Sequence, residues 1–224
     1  MEIEGSGNMV LVDPTSNDEI LIFYVLGSSG FFKKYEYRVE AGTIKATNCL
    51  KANQIDQLKN TDFVCGVFTA VNPKEHSYGY IMIIGTNDGC LMAFNNTSSE
   101  ASAGLMGNGK KQQIFENGQI GSIKLNSNWV IIATHLGYIQ RYKFTNNIFP
   151  TGNYQNDKIS SISLDGAITA MEFDPSSFNE GIVGTSQGFI YYVNLTENQS
   201  LKIVSRINPT IDSPLLCQFD LNNP

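Results

Sequence analysis

One pattern returns four times along this chain. It reads GSSGFFKKYEY over 27–37, GTNDGCLMAF over 85–94, ATHLGYIQRY over 133–142 and GTSQGFIYYV over 184–193. Each copy has an apolar run, a short polar turn closed by glycine, and then a strand of mixed polar and apolar residues. The closing glycines Gly30, Gly89, Gly137 and Gly188 are 59, 48 and 51 residues apart. Recurrence at about 40–50 residues marks propeller blades, because one small sheet cannot bury both its faces alone and must stack on its neighbours. An all-β fold of stacked four-stranded blades is the expectation.

The rest of each unit follows from hydrophobic pattern. Upstream of the turns lie inner strands over 8–12, 63–68, 120–125 and 168–173. The segment 214–219 begins a further copy. The second strands, 20–26, 80–84, 129–133 and 181–183, are the most apolar, which predicts burial on both faces. The third strands alternate: Ile139, Arg141 and Lys143 on one side, Tyr138, Tyr142 and Phe144 on the other, as a half-buried strand requires. Outer strands are more polar, over 112–116, 158–164 and 201–207. Glycine closes the hairpins because a tight turn needs positive φ there. Asp13-Pro14 and Asp174-Pro175 follow inner strands, where Asp bonds the downstream backbone and Pro pre-sets the turn. The expected organisation is blade 1 with its linker over 1–61, blade 2 over 62–118 with an insertion over 96–111, blade 3 over 119–166, blade 4 over 167–212, and the first strand of a fifth over 213–224.

Composition narrows the function classes. Hydrophobic residues make up 42% and charged residues only 16%, enough for a core in a turn-rich sheet protein. The net charge of −6 argues against nucleic acid, which demands a basic surface. The longest apolar runs fall short of a membrane-spanning helix, and the opening MEIEGSGNMV has neither the basic start nor the apolar stretch of a signal peptide. Cys49, Cys65, Cys90 and Cys217 show no paired spacing, as expected of thiols in a reducing compartment.

Several motifs carry less than their spelling suggests. Gly104, Gly109 and Lys110 have the spacing of a phosphate-binding loop, but Lys111 stands where that loop needs Ser or Thr, and no buried strand precedes it. The stretch 50–61 has helical spacing at Leu50, Ile55 and Leu58 and reads as a linker between blades. The acceptor patterns at Asn95, Asn96, Asn194 and Asn198 are those an Asn-rich chain meets by chance. His76 and His135 have no acidic or Cys partners at metal-ligand spacing. No nucleophile elbow is present. The chain therefore reads as no enzyme, with no catalytic residues, no cofactor and no metal.

The stretch 165–195 resembles a degenerate WD40 repeat, and in particular the blades of the centriolar WD-repeat protein 90 family. The likeness is carried by Phe173, Asp174, Gly181, Val183, Gly184, Thr185, Gly188, Tyr191, Tyr192, Val193 and Asn194, and residues 63–94 suit the same family. No unit closes its third strand with Trp-Asp: Ala93-Phe94, Arg141-Tyr142 and Tyr192-Val193 stand there, and no Gly-His pair opens a unit. The resemblance implies a WD40-like β-propeller, about four four-stranded blades plus the start of a fifth, acting as a non-catalytic scaffold in the wall of a centriole, basal body or axoneme.

The resulting expectation is protein–protein contact within a large assembly in the cytoplasmic cytoskeleton, cilium or basal body. Tubulin or microtubule-associated proteins are the candidate partners, with neither nucleic acid nor membrane. The alternative is a soluble cytosolic WD40 adaptor presenting peptides to a ubiquitin ligase or a trafficking coat. Six basic residues against three acidic ones over 33–59 suggest a basic outer edge for an acidic partner. The candidate contacts are Lys33, Lys34 and Arg38 there, with Lys110 and Lys111 at a loop tip. Four blades leave two blade faces open. At roughly 2 kcal/mol for each of about eight large apolar side chains, those faces cost on the order of 16 kcal/mol, so a longer chain, a second copy or a neighbouring protein is expected to supply the missing blades.

Overall fold

A computed structural model of the chain describes residues 7–49, 58–70, 80–95, 112–115, 118–125, 129–143, 158–174, 177–195 and 200–208. The stretches 50–57, 96–111 and 209–224 lie outside them. So do the expected helical spacing at Leu50 and Ile55, the phosphate-loop look-alike, and the start of a fifth blade. Among the described residues no helix is long and apolar enough to cross a membrane.

Among the described residues sixteen strands form four sheets. Strands β1 (Gly7–Val12), β2 (Ile20–Gly27), β3 (Phe32–Arg38) and β4 (Thr43–Asn48) make the first. Strands β5 (Phe63–Ala70), β6 (Tyr80–Thr86), β7 (Cys90–Asn95) and β8 (Gln112–Gln113) make the second. The third holds β9 (Ile120–Leu125), β10 (Trp129–Thr134), β11 (Tyr138–Lys143) and β12 (Lys158–Ser163). The fourth holds β13 (Ile168–Phe173), β14 (Glu180–Thr185), β15 (Ile190–Leu195) and β16 (Leu201–Ile207). Every sheet is an antiparallel meander in chain order, the all-β four-stranded blade expected from the repeats. Two compact units result, Met1–Asn117 with the first two sheets and Gly118–Pro224 with the last two.

In the first unit the core lies between the two sheets. Tyr24, Leu26 and Phe32 from the first meet Phe63, Met82, Ile84, Met92 and Phe94 from the second, with Leu58 beside them. Phe32 meets the ring of Phe94 edge-on at 4.7 Å and that of Phe63 at 6.0 Å. Edge-to-face pairs of this kind add about 0.5–1.5 kcal/mol beyond the area they bury. In the second unit Ile131, Ala133 and Ile139 pack with Met171, Phe173, Val183, Tyr191 and Val193. A half-buried ion pair, Lys124 to Glu172 at 2.5 Å, joins inner strands β9 and β13.

Two expectations need correction. The second strands were to be buried on both faces. This holds along β10 beyond Trp129, but in the first half of β2 Leu21 is exposed and Ile20, Ile22 and Phe23 are only half-buried. The third strand β11 does not alternate. Tyr138 is exposed, but Ile139, Gln140, Arg141 and Tyr142 are all buried, so this strand has material on both faces. Burial of Arg141 draws its guanidinium down to about 10, still charged at neutral pH. It lies 3.6 Å over the ring of Trp129, whose face supplies the negative potential that water no longer can. Phe144 falls outside the described residues.

Phe173 is fully buried, and the backbone of Gly181 makes its space: a Cβ at Gly181 would come within 2.7 Å of the Phe173 ring. Truncating Phe173→Ala is expected to cost roughly 3–5 kcal/mol in chemical denaturation. A near-neutral variant would mean that β13 is in the wrong register. Gly137 has φ +84°, and a Cβ there would lie 2.5 Å from the Leu164 carbonyl oxygen. Both strain and clash oppose Gly137→Ala, which is expected to lose well over the roughly 0.5 kcal/mol within which ordinary surface substitutions stay; equal midpoints in urea would refute the turn geometry.

Candidate interaction surface

Three of the four hairpins share one construction. Each turn runs Thr-x-x-Gly: Thr86 to Gly89, Thr134 to Gly137 and Thr185 to Gly188. The glycine amide donates to the threonine carbonyl at 3.2, 3.1 and 2.9 Å, and the glycine takes φ of 78°, 84° and 79°. All three threonines are buried. The hydroxyl of Thr86 accepts from the Cys90 amide at 3.0 Å, and that of Thr134 from the Tyr138 amide at 3.2 Å. Threonine suits the site because its hydroxyl serves the tight turn while its methyl is buried. In the first sheet Gly27 stands in the threonine's place, and a short 3-10 turn, Ser28–Gly30, replaces the regular hairpin.

The residue after each threonine is tied to the entrance of the inner strand. Asn87 donates its amide to the Asp62 carbonyl at 3.0 Å, His135 to that of Gln119 at 3.1 Å, and Ser186 to that of Ala167 at 2.8 Å. Asp62 does more. Its carboxylate accepts from the Ser29 amide at 3.0 Å and from the Asn87 side-chain amide at 3.1 Å, which joins the hairpins of the first two sheets. The repeated Thr and the Asp62–Asn87 pair were visible in the sequence as letters, but only the bonds give them a role.

Those rigid turns present side chains. In the second unit the β10–β11 turn exposes His135 and Leu136, and the β14–β15 turn exposes Ser186 and Gln187. The loop between β12 and β13 lies against both: the Gly137 site abuts Leu164 and Gly166, and the Gly166 site abuts Gln187. Beside it Arg206 donates to Asp165 at 2.7 Å, Tyr191 donates to the same carboxylate at 3.1 Å, and the guanidinium lies 4.6 Å from the Phe189 ring.

The expected basic edge is distributed differently. Lys33, Lys34 and Arg38 lie on β3, the third strand, and β4 is the outer one. Strand alternation sends Lys34 and Arg38 to one face and Lys33 to the other. Lys34 pairs with Glu36 at 3.0 Å, and Lys45 lies directly across from Glu36 on β4. The Lys34 ammonium, by its hydrogen bond, holds the Glu36 carboxyl below its ordinary value against the upward push of burial, and Lys45 and Arg38 add to it. Lys33 lies 5.5 Å from the Phe31 ring. The structure therefore gathers Lys34, Arg38 and Lys45 around one carboxylate and separates Lys33 from them. Lys110 and Lys111 fall outside the described residues, as do His76 and Cys217.

Reactive chemistry is poorly served here. Burial pushes the thiols of Cys49 and Cys65 up to about 12, far from the thiolate a nucleophile needs. Among the described residues no three His, Cys, Asp or Glu side chains are grouped to hold a metal ion. Asp13 is buried as a turn element: it accepts from the Thr15 amide at 2.8 Å, the Thr15 hydroxyl at 2.6 Å and the Tyr24 hydroxyl at 3.3 Å.

No protein-family model matches the chain. Over 57 residues it is 37% identical to WD repeat-containing protein 90 of Mus musculus, a stretch that covers 24% of this chain and 3% of that protein. Among solved structures, a chain of the mitotic checkpoint complex matches with a TM-score of 0.56 at 9% identity, over 95% of this chain and 57% of that one. The WD40 β-propeller domain of Doa1 matches with a TM-score of 0.60 at 10% identity, over 96% of this chain and 58% of that one. The chain thus spans a little over half the length of these solved chains. Four consecutive four-stranded meanders and these likenesses show the same thing: the chain is built of WD40-type β-propeller blades.

Proposed function

We propose that the chain is a non-catalytic scaffold of WD40 blades that holds proteins together in a microtubule-based assembly, a centriole, basal body or axoneme, within the cytoplasmic cytoskeleton or cilium. The observation that carries this reading is the 37% identity over 57 residues to WD repeat-containing protein 90, falling on a chain of propeller blades. The centriolar setting is what the family resemblance implies. The surface suits contact rather than chemistry, since rigid turns and strands display charged and apolar side chains and burial quenches the Cys49 and Cys65 thiols. Acidic surfaces such as those of tubulin fit the cations Lys34, Arg38 and Lys45.

Localisation of a tagged chain tests the setting. Discrete basal-body or axonemal spots support it, and diffuse cytosolic signal would favour the adaptor reading instead. The charges can be tested face by face. Exposed pairs contribute under about 1 kcal/mol each, so several must act together. Reversing Lys34 and Arg38 to Glu is expected to release the protein from its assembly with its circular dichroism spectrum unchanged. Lys33→Glu, on the other face, is expected to leave it bound. Retention should also fall as salt rises past about 0.15 M, where the screening length is about 8 Å. Assembly that ignores both the double reversal and salt would place the contact elsewhere.

A further inference from the structure

A strand at the edge of a sheet shows a row of backbone donors and acceptors that a further strand can use, and proteins blunt such edges with bulges, very short strands or charges. Among the described residues eight strands lie at sheet edges, and they are not treated alike. Strands β1, β5, β9, β12, β13 and β16 each carry a register shift against their neighbour in the sheet. Strand β8 has only two residues. Strand β4 has neither defence. It is six residues long, is exposed at every one of them, and pairs with β3 without a shift from Arg38–Thr43 to Lys33–Asn48. Its sequence TIKATN holds neither Pro nor Gly, and Thr43, Ile44 and Thr47 are β-branched, as a well-formed strand prefers.

The outward row follows from the ladder. The Cys49 amide donates to the Phe32 carbonyl at 3.2 Å. In an antiparallel pair the backbone groups of alternate residues turn to the same side. Those of Thr43, Lys45 and Thr47 therefore turn to β3, and those of Ile44, Ala46 and Asn48 turn outward, where no described strand pairs with them. The side chains alternate too. Thr43, Lys45 and Thr47 share a face with Arg38, Glu36 and Lys34 directly across on β3, so three cations there surround one carboxylate. Ile44 and Ala46 share the other face with Tyr37 and Tyr35, and Lys33 stands across from Asn48 at its end.

We infer that β4 accepts a fifth strand from another protein, an extended segment in which acidic and apolar residues alternate. Its backbone pairs with the outward groups of Ile44, Ala46 and Asn48, which supplies the hold, and its side chains supply the preference. The acidic ones fall on the face of Lys34, Arg38 and Lys45, and the apolar ones fall beside Ile44 and Ala46. Side chains directly across from one another are about 4.5–5.5 Å apart, close enough for opposite charges to attract and like charges to repel. The same rule turns away a second copy, whose β4 would bring its own Lys45 to the cationic face. The inference rests on the scaffold reading and names the form in which a partner meets the basic cluster.

The probe is a synthetic peptide of Glu-Val repeated four times, titrated into the full chain and followed by amide hydrogen exchange. At saturation the amides of Ile44, Ala46 and Asn48 are expected to gain protection, while those of Lys45 and Thr47, already turned to β3, stay as they were. The same peptide with Lys in place of Glu is expected not to bind. Two N-methylated peptides separate strand pairing from charge attraction, because a paired strand offers only one of its edges. Methyls on the Val nitrogens and methyls on the Glu nitrogens should have opposite effects, one form binding and the other not. Ala46→Pro removes an outward amide and spares the β3–β4 ladder, and Lys45→Glu reverses an exposed charge. Each is expected to weaken binding about tenfold with the circular dichroism spectrum unchanged. A peptide that leaves the three amides unprotected, protects another edge, or binds equally in both methylated forms overturns the inference. If the peptide fails while the tagged chain still marks basal bodies or axonemes, the scaffold reading stands and only the fifth strand falls. If the peptide pairs with β4 and the tagged chain is diffuse, the fifth strand stands and the microtubule setting falls.

Discussion

Each regular blade hangs on one small set of hydrogen bonds, those that tie its central hairpin to the point where its inner strand begins. The Thr-x-x-Gly turn folds back on itself through the glycine amide, and the next residue reaches the carbonyl at the entrance of the sheet. Three strands are thereby fixed in register by a turn of four residues. A slip of one residue would send every core side chain to the wrong face, so a device that pins register also pins the core. Where the threonine is missing, at Gly27, the turn becomes a short 3-10 element. The carboxylate of Asp62 then takes up the Ser29 amide. No unit of this chain carries the Trp-Asp or Gly-His pair, and among the described residues the bonds at the turns are what tie each regular hairpin to its sheet.

Much of this was legible as letters. The spacing of Gly30, Gly89, Gly137 and Gly188 marked the hairpins, and all four take positive φ. The inner strand 168–173 appears as β13 with the same bounds, and Asp13 bonds its own downstream backbone as its position before Pro14 suggests. Periodicity failed at β11. Alternation assumes one wet face, but Ile139 to Tyr142 are buried without a break, so Arg141 is buried despite its charge and leans on Trp129. Pattern cannot foresee this, because the aromatic partner is twelve residues away on another strand.

The basic cluster was legible only in part. A run of letters gives charge density but not face. Lys33 and Lys34 are neighbours in sequence and opposites in space, and Lys45 joins the cluster from the next strand because β3 and β4 pair in register. A blade is a two-sided object, and a sheet with apolar residues of both parities, as in β1 and β2, needs material on both sides.

Amide hydrogen exchange tests the central claim most directly. The amides of Asn87, His135 and Ser186 sit in surface turns, two of them at exposed residues, yet each is bonded to the entrance of an inner strand. If those bonds hold the blades in register, the three amides exchange slowly, with the buried strands β6, β10 and β14. Exchange as fast as at Leu136 and Gln187 in the same turns would show that the turns are not anchored and that the blades are held by packing alone.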